Sequence, residues 1–253
     1  MPIDRTAAEG FSAGAGSYER ARPAYPVEAI RFLTDRFTIV PDSRVLDVGA
    51  GTGKFTSCLT ATGARIVAVE PVEDMRRRIA RTGGVGVVAG TAEAIPLADG
   101  CANVVLSAQA FHWFDGSRAL AEFRRVLLPG GGLGLVWNAR DRSRAWVADL
   151  SDIVDEYGNA IRRHETEEWR DAFDDDTGFS PLDVTTFPNP QEVDEDQVVD
   201  RVASTSFIAI LPDDRRRRVL DRVRELIRSH PETRGRERFT FAHETRVYTA
   251  TKI

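Results

Sequence analysis

Between Arg44 and Trp137, short apolar runs alternate with amphipathic stretches of helical spacing, and this alternation leaves few architectures open to the chain. The runs predict strands at Arg44–Val48, Arg65–Glu70, Val85–Ala89, Ala102–Ser107 and Leu133–Trp137. Helices are predicted between them over Gly53–Thr62, Val72–Arg81 and Asp115–Leu127. Runs as continuously apolar as "NVVLS" and "LGLVW" need cover on both faces, which a parallel sheet between two helical layers provides. Right-handed crossovers follow, so the expected fold is α/β and doubly wound.

Ahead of this pattern, Gly10 to Ser17 is rich in Gly, Ala and Ser and reads as an arm. A helix is expected after Pro26, with Val27, Ile30, Phe32, Leu33 and Phe37 on one face. Beyond Asp141 the alternation loosens. Helices are expected over "RAWVADLSDIVDEYGNAI", "ETEEWRDAF", "DEDQVVDRVASTSFIAIL" and "PDDRRRRVLDRVRELIRSH", with strands at "LDVTTF" and at the closing "ETRVYTATKI". The stretch from Asn189 to Glu237 reads as an excursion that leaves the sheet and returns for its last strand.

The first strand runs into "VLDVGAGTGKFT", Val45 to Thr56, with glycines at 49, 51 and 53. A phosphate-cradling loop needs Gly, four residues, then Gly-Lys-Ser/Thr; here Phe55 follows Gly53-Lys54, and Val48 stands where the first glycine belongs. A dinucleotide turn, G-x-G-x-x-G, accepts Gly49 and Gly51 but meets Lys54 at its third glycine, and stays open on that ground alone. Asp47 weighs against it, because a carboxylate at the strand end repels a pyrophosphate and suits an ammonium or sulfonium. Glycine lacks the Cβ that would block such a ligand. Glu70, at the end of the second strand, is placed to accept hydrogen bonds from both hydroxyls of a ribose, as in any adenosine ligand. Both acids fall at carboxyl ends of neighbouring strands, where open α/β sheets bind ligands. An N-cap or a surface ion pair is the alternative role for either.

Composition narrows the partners. The net charge of -5 and a pI near 5.5 oppose a general affinity for nucleic acid or for an anionic membrane. No window is apolar enough to span a bilayer and the N-terminus lacks a signal-peptide core, so a cytoplasmic location is expected. With Cys58 and Cys101 alone, no disulfide framework or thiolate metal site is expected, and both read as small apolar packers. His164, His230 and His243 lack metal-ligand spacing, and Asp174–Asp176 lacks that of a calcium loop, so no metal is expected. Arg215–Arg218, flanked by Asp213, Asp214, Asp221 and Glu225, reads as a solvated helix face laced by i,i+4 pairs.

Taken in order, "VLDVGAGTGKFT", "VAVEP", "AGTAEAIPLADGCANVVLSAQAFHWFD" and "FRRVLLPGGGLGLVWN" resemble successive motifs of the class I S-adenosylmethionine-dependent methyltransferases, over Arg44 to Asn138. The similarity is greatest to the small-molecule branch that holds the ubiquinone-biosynthesis and trans-aconitate types. It implies a Rossmann-like doubly wound sheet of seven strands, mostly parallel with the last antiparallel, and a helical cap. The chain is then one domain over 1–253, with an arm and helix at 1–40, a cofactor-binding core at 41–140, and at 141–253 the sheet completion with the cap that selects the acceptor.

By the same resemblance, Asp47 and the backbone of Gly49, Ala50, Gly51, Thr52 and Gly53 hold the methionine end of S-adenosyl-L-methionine, and Glu70 binds its ribose. Pro71 and Met75 flank the adenine, and Thr91, Ala92 and Glu93 cover its edge; Thr91 stands where an Asp is common. Tyr18 and Arg22 are expected to meet the methionine carboxylate. Ser107, Ala108 and Gln109 frame the methyl-donor region, with Phe111, His112 and Trp113 facing the acceptor or the cofactor. His112 is the best-placed general base, since a neutral imidazole can take a proton from a hydroxyl or amine; packing or a cofactor contact are its other roles. The partner implied is a small-molecule methyl acceptor, with the protein a monomer or homodimer. Two other readings stay open: a nicotinamide-dependent oxidoreductase, and a non-catalytic S-adenosylmethionine binder.

Overall fold

The computed structural model describes residues 23–158, 167–174 and 177–253. Its strands are β1 (Arg44–Val48), β2 (Arg65–Val69), β3 (Gly86–Val88), β4 (Ala102–Ala108), β5 (Leu127–Arg140), β6 (Asp183–Pro188), β7 (Gln191–Val193), β8 (Phe239–Phe241) and β9 (His243–Thr251). Its α-helices are α1 (Val27–Arg36), α2 (Lys54–Leu59), α3 (Glu73–Ile79), α4 (Gly116–Val126), α5 (Ala145–Asp155), α6 (Glu195–Ala203), α7 (Ser206–Ala209) and α8 (Asp213–Ser229). Seven strands form one sheet in the order β3-β2-β1-β4-β5-β9-β6, mostly parallel with one strand antiparallel. The register sets Asp47 of β1 beside Ala68 of β2 on one side and Leu106 of β4 on the other.

Two compact units are present. One gathers the described residues of Ala24–Asn138, Arg162–Phe187 and Thr245–Ile253, and the other Pro23 with those of Ala139–Ile161 and Pro188–Glu244. In the first, the unbroken apolar strands feed two separate cores. β1 sends Leu46 and Val48 into one and Val45 into the other, while β4 sends Val105 into the first and Val104 and Leu106 into the second. That split is why neither strand has a polar face to spare. The glycines of β5 have a packing reason too: a Cβ at Gly132 would lie 2.3 Å from the ring of Phe37, which follows α1.

In the second unit, α5, α6 and α8 close around Trp146, Leu150, Val198, Val219 and Val223. β7 and β8 pair antiparallel, Gln191 opposite Phe241 and Val193 opposite Phe239. The excursion after Asn189 is therefore clasped at both ends, a hairpin-like closure that its three-residue strands did not announce. α8 carries the arginine run on an exposed face with the Arg218–Asp214 pair at 2.7 Å, as expected.

Several elements differ from expectation. The helix expected over Asp194–Leu211 breaks into α6 and α7 at Thr205, whose backbone is extended. There the hydroxyls of Ser204 and Thr205 both donate to the Arg201 carbonyl and compete with the helical ladder. "ETEEWRDAF" yields a tight 3-10 turn over Glu168–Phe173, whose Trp169 and Phe173 join the sheet unit's core. α5 ends at Asp155, and the sequence expected to continue it lies partly outside the described residues. Val27 is 59% exposed; Ala29, Ile30 and Leu33 are the residues that α1 buries.

Candidate functional site

Asp47, on β1, is fully buried. The Thr56 hydroxyl donates to its Oδ2 at 2.5 Å, whereas Oδ1 has no hydrogen-bond partner among the described residues. Thr56 reaches it because α2 starts at once after the glycine turn and runs back along β1. Burial pushes the Asp47 carboxyl up to about 7, the Thr56 hydroxyl opposes this, and the nearby Glu70 charge adds to it.

Glu70, one residue past β2, is also buried. Its Oε2 accepts from the Gly51 amide at 2.8 Å and its Oε1 from the Val72 amide at 2.9 Å. Its carboxyl is raised by burial, and the two amides and the Arg76 charge hold it down. Arg76 also donates to the Glu70 and Pro71 carbonyls, at 2.9 and 2.6 Å, and so braces this bend.

The three turn glycines all have positive φ, at +72°, +58° and +85° for Gly49, Gly51 and Gly53. Their surroundings differ. A Cβ at Gly49 would lie 2.8 Å from Ala110 Cβ and 2.9 Å from Phe114 Cζ, and one at Gly53 would lie 3.0 Å from Ile79 Cγ1. At Gly51 a Cβ meets nothing within 4 Å among the described residues. Space for a ligand was the reason expected for all three, yet at Gly49 and Gly53 that space is filled by the protein's own side chains.

The end of β4 lies next to this turn, as the Ala110 and Phe114 approaches to Gly49 require. Ser107 is buried and its hydroxyl donates to the Val48 carbonyl at 2.9 Å. Gln109 holds a left-handed φ of +59°, uncommon outside glycine, with its side-chain amide donating to the Asn138 carbonyl at 3.2 Å. A 3-10 turn over Phe111–Trp113 follows. Within it Phe111 is 1% exposed, wedged among Phe114, Phe123, Trp169 and Phe173; it is a core residue rather than a pocket wall. His112 and Trp113 are half-buried with ring centroids 4.9 Å apart.

A family model described as a methyltransferase domain matches residues 46–135, the segment that contains both strand ends. An uncharacterized methyltransferase of Mycobacterium tuberculosis is 42% identical over 223 residues, 87% of this chain and 86% of its own length. A methyltransferase-like protein of Schizosaccharomyces pombe is 33% identical over 244 residues, 96% of this chain and 95% of its own. The chain belongs to the class I S-adenosylmethionine-dependent methyltransferases. The fold of this methyltransferase is also that of a solved chain from Anaeromyxobacter dehalogenans assigned to the type II methyltransferases, with a TM-score of 0.69 at 23% identity over 91% of this chain and 97% of that one.

The remaining expected site residues of the methyltransferase are spread around the same strand ends. Pro71 is half-buried beside Glu70, and Met75 is buried on α3. Thr91 and Ala94 form an isolated bridge that tightens the "GTAE" turn, with Ala92 buried inside it. The Glu93 carboxylate accepts from the Asp115 amide at 3.0 Å and ties that turn to the start of α4. Tyr18 and Arg22 lie outside the described residues. No group of three metal-ligating side chains occurs among the described residues, and no helix there is long and apolar enough to cross a membrane. Three contributors were missed: Thr56, Arg76 and Trp137. Thr56 had a signal in the sequence, since it stands one helical turn past Gly53 in the quoted motif. Arg76 and Trp137 act through contacts that spacing does not display.

Proposed function

We propose that this methyltransferase binds S-adenosylmethionine over the glycine turn at the ends of β1 and β2 and methylates a small-molecule acceptor. The observation that carries the reading is Asp47 Oδ1, fully buried and without a partner among the described residues. A carboxylate stripped of water on one oxygen is costly until a cation reaches it, and the methionine ammonium is such a cation. Gly51 supports the reading from the other side of the turn, since no described residue fills the space over its Cα.

The backbone from Gly49 through Ala50, Gly51 and Thr52 to Gly53 cradles the amino-acid end. Each Glu70 oxygen accepts one amide and keeps a second lone pair, enough to receive a ribose hydroxyl as well. Pro71, Met75 and the Thr91–Glu93 turn bound the adenine, while Ala108 and Gln109 border the methyl-donor region. When bound, S-adenosylmethionine supplies a methyl carbon already activated by its positive sulfur. The chain's task is then to exclude water and hold the acceptor in line, for which well-oriented pairs gain effective molarities of roughly 10⁵ to 10⁸ M. His112 and Trp113 are the half-buried groups that face the acceptor in this reading.

Thermal unfolding tests it. Saturation at 100 times Kd adds about 2.7 kcal/mol to stability, so S-adenosylmethionine and S-adenosylhomocysteine should each raise the melting temperature by several degrees. A rise with NAD and none with either sulfur nucleoside overturns the reading.

A further inference from the structure

We propose that Trp137 locks His112 in the tautomer protonated at Nε2, so that His112 offers a hydrogen-bond donor, not a base, at the carboxyl end of β4. The inference rests on the methyl-transfer reading and deepens it. Trp137 Nε1 donates to His112 Nδ1 at 3.1 Å. An indole N–H only donates, so Nδ1 must keep its lone pair to receive it, and a neutral imidazole then carries its proton on Nε2.

Both partners are held in place. The Trp137 side chain is 1% exposed and its ring packs 4.6 Å from that of Trp169 and 5.5 Å from that of Tyr248, centroid to centroid. A buried N–H that loses its acceptor is left unsatisfied at a cost in stability, which opposes any rearrangement that protonates Nδ1. His112 sits between Ala110 and Phe114, the two residues that abut Gly49, so its turn is docked on the glycine turn. To accept a proton at Nε2, the ring would first have to move its own proton to Nδ1, against the indole.

The consequence is a substrate class. The acceptor presents an atom that can receive the Nε2 proton in a hydrogen bond, and its attacking atom already holds an available lone pair at neutral pH. Anionic oxygens and unprotonated nitrogens meet both conditions. A neutral alcohol must also lose a proton as it attacks, and needs a base other than His112 to take it.

The tautomer can be read without knowing the acceptor. In the full chain with isotope-labelled histidine, long-range proton–nitrogen correlation near neutral pH should report Nε2 protonated and Nδ1 bare at His112, assigned through His112→Gln. An Nδ1-protonated ring or an imidazolium overturns the inference. Trp137→Phe keeps an aromatic ring and removes the N–H, so the His112 signals should move to a mixture of tautomers; an unchanged tautomer in the folded variant removes the role of Trp137. If that variant does not fold, coupling across the Trp137–His112 hydrogen bond in the wild type decides, present in support and absent against. Once an acceptor is found, His112→Gln, which keeps a donor near Nε2, should retain at least about tenfold more kcat/KM than His112→Ala, in line with a hydrogen bond to a charged group; equal losses count against it. Stabilisation by S-adenosylhomocysteine, measured on the same samples, separates the failures: its absence sinks the methyl-transfer reading, whereas its presence with the wrong tautomer sinks only this one.

Discussion

The ends of β1 and β4 are neighbours in the sheet, yet their polar groups are arranged in opposite ways. At β1, Asp47 Oδ1 is buried without a hydrogen-bond partner among the described residues, and none of them comes within 4 Å of a Cβ at Gly51. At β4, Ser107 donates to Val48, Gln109 to Asn138, and His112 accepts from Trp137. One end has polar capacity that the described residues leave unfilled. The other has used its capacity to set a shape. The proposed methyl transfer calls for both, a charged seat for the cofactor and a stiff wall to position the acceptor.

The largest effect expected from breaking this contrast is at Asp47. Asp47→Asn should weaken S-adenosylhomocysteine binding by about 10- to 100-fold in calorimetry, the usual worth of a hydrogen bond to a charged group. The same change should stabilise the ligand-free protein at alkaline pH, and the sign follows from titration. The carboxyl ionises near 7 when folded against an ordinary value of 3.8, so the folded state holds the extra proton between those values. Stability from this group is intact below about pH 4, declines as pH rises, and is lost above about pH 7, on the order of 4 kcal/mol in all. S-adenosylhomocysteine binding should accordingly release most of a proton near pH 6 and much less near pH 8, which calorimetry in buffers of different ionisation enthalpy measures. Binding that is indifferent to both the substitution and the pH would erase the distinction between the two strand ends.

The β1 end was legible in the sequence, and the β4 end only partly. Asp47, Glu70 and the three glycines stand out because each breaks an apolar run with a residue type that the run itself does not need. The alternation of runs likewise foretold the doubly wound sheet. What escaped were properties set by distant partners. The proton on His112 depends on Trp137, 25 residues away, and the burial of Phe111 depends on Trp169 and Phe173 arriving from another segment. Local spacing carries no trace of such contacts. The split of α6 from α7 was missed for a different reason: "STS" suits a helix end as well as an interior, and the competition of two hydroxyls for one carbonyl decides it.

The glycines sharpen the comparison with smaller effects. Gly49→Ala drives a methyl group to 2.8 Å from Ala110 and 2.9 Å from Phe114 at a positive φ, so the two strand ends must separate. A loss of about 2–3 kcal/mol in chemical unfolding is expected. Gly51→Ala meets no such neighbour, and its backbone strain should cost about 1–2 kcal/mol. Its effect should fall instead on ligand affinity, reduced by more than that strain explains. If Gly49→Ala and Gly51→Ala alter stability and affinity in the same proportion, the three glycines serve one purpose and the packing role drawn for Gly49 is wrong.

The smallest effect is the most discriminating for β4. Ser107 is fully buried and gives its hydroxyl proton to the Val48 carbonyl, one residue beyond Asp47. Ser107→Ala keeps the volume nearly constant and removes that donor, so a loss of about 1 kcal/mol and a fall of about 2–4 °C in melting temperature are expected. Cofactor affinity should change by less than about threefold, since a hydroxyl spent inside the protein has little left for a ligand. A tenfold loss of affinity with unchanged melting temperature would mean the opposite: that Ser107 exchanges its carbonyl partner for the cofactor on binding, and that the β4 end, like the β1 end, is chemistry in waiting rather than a finished wall.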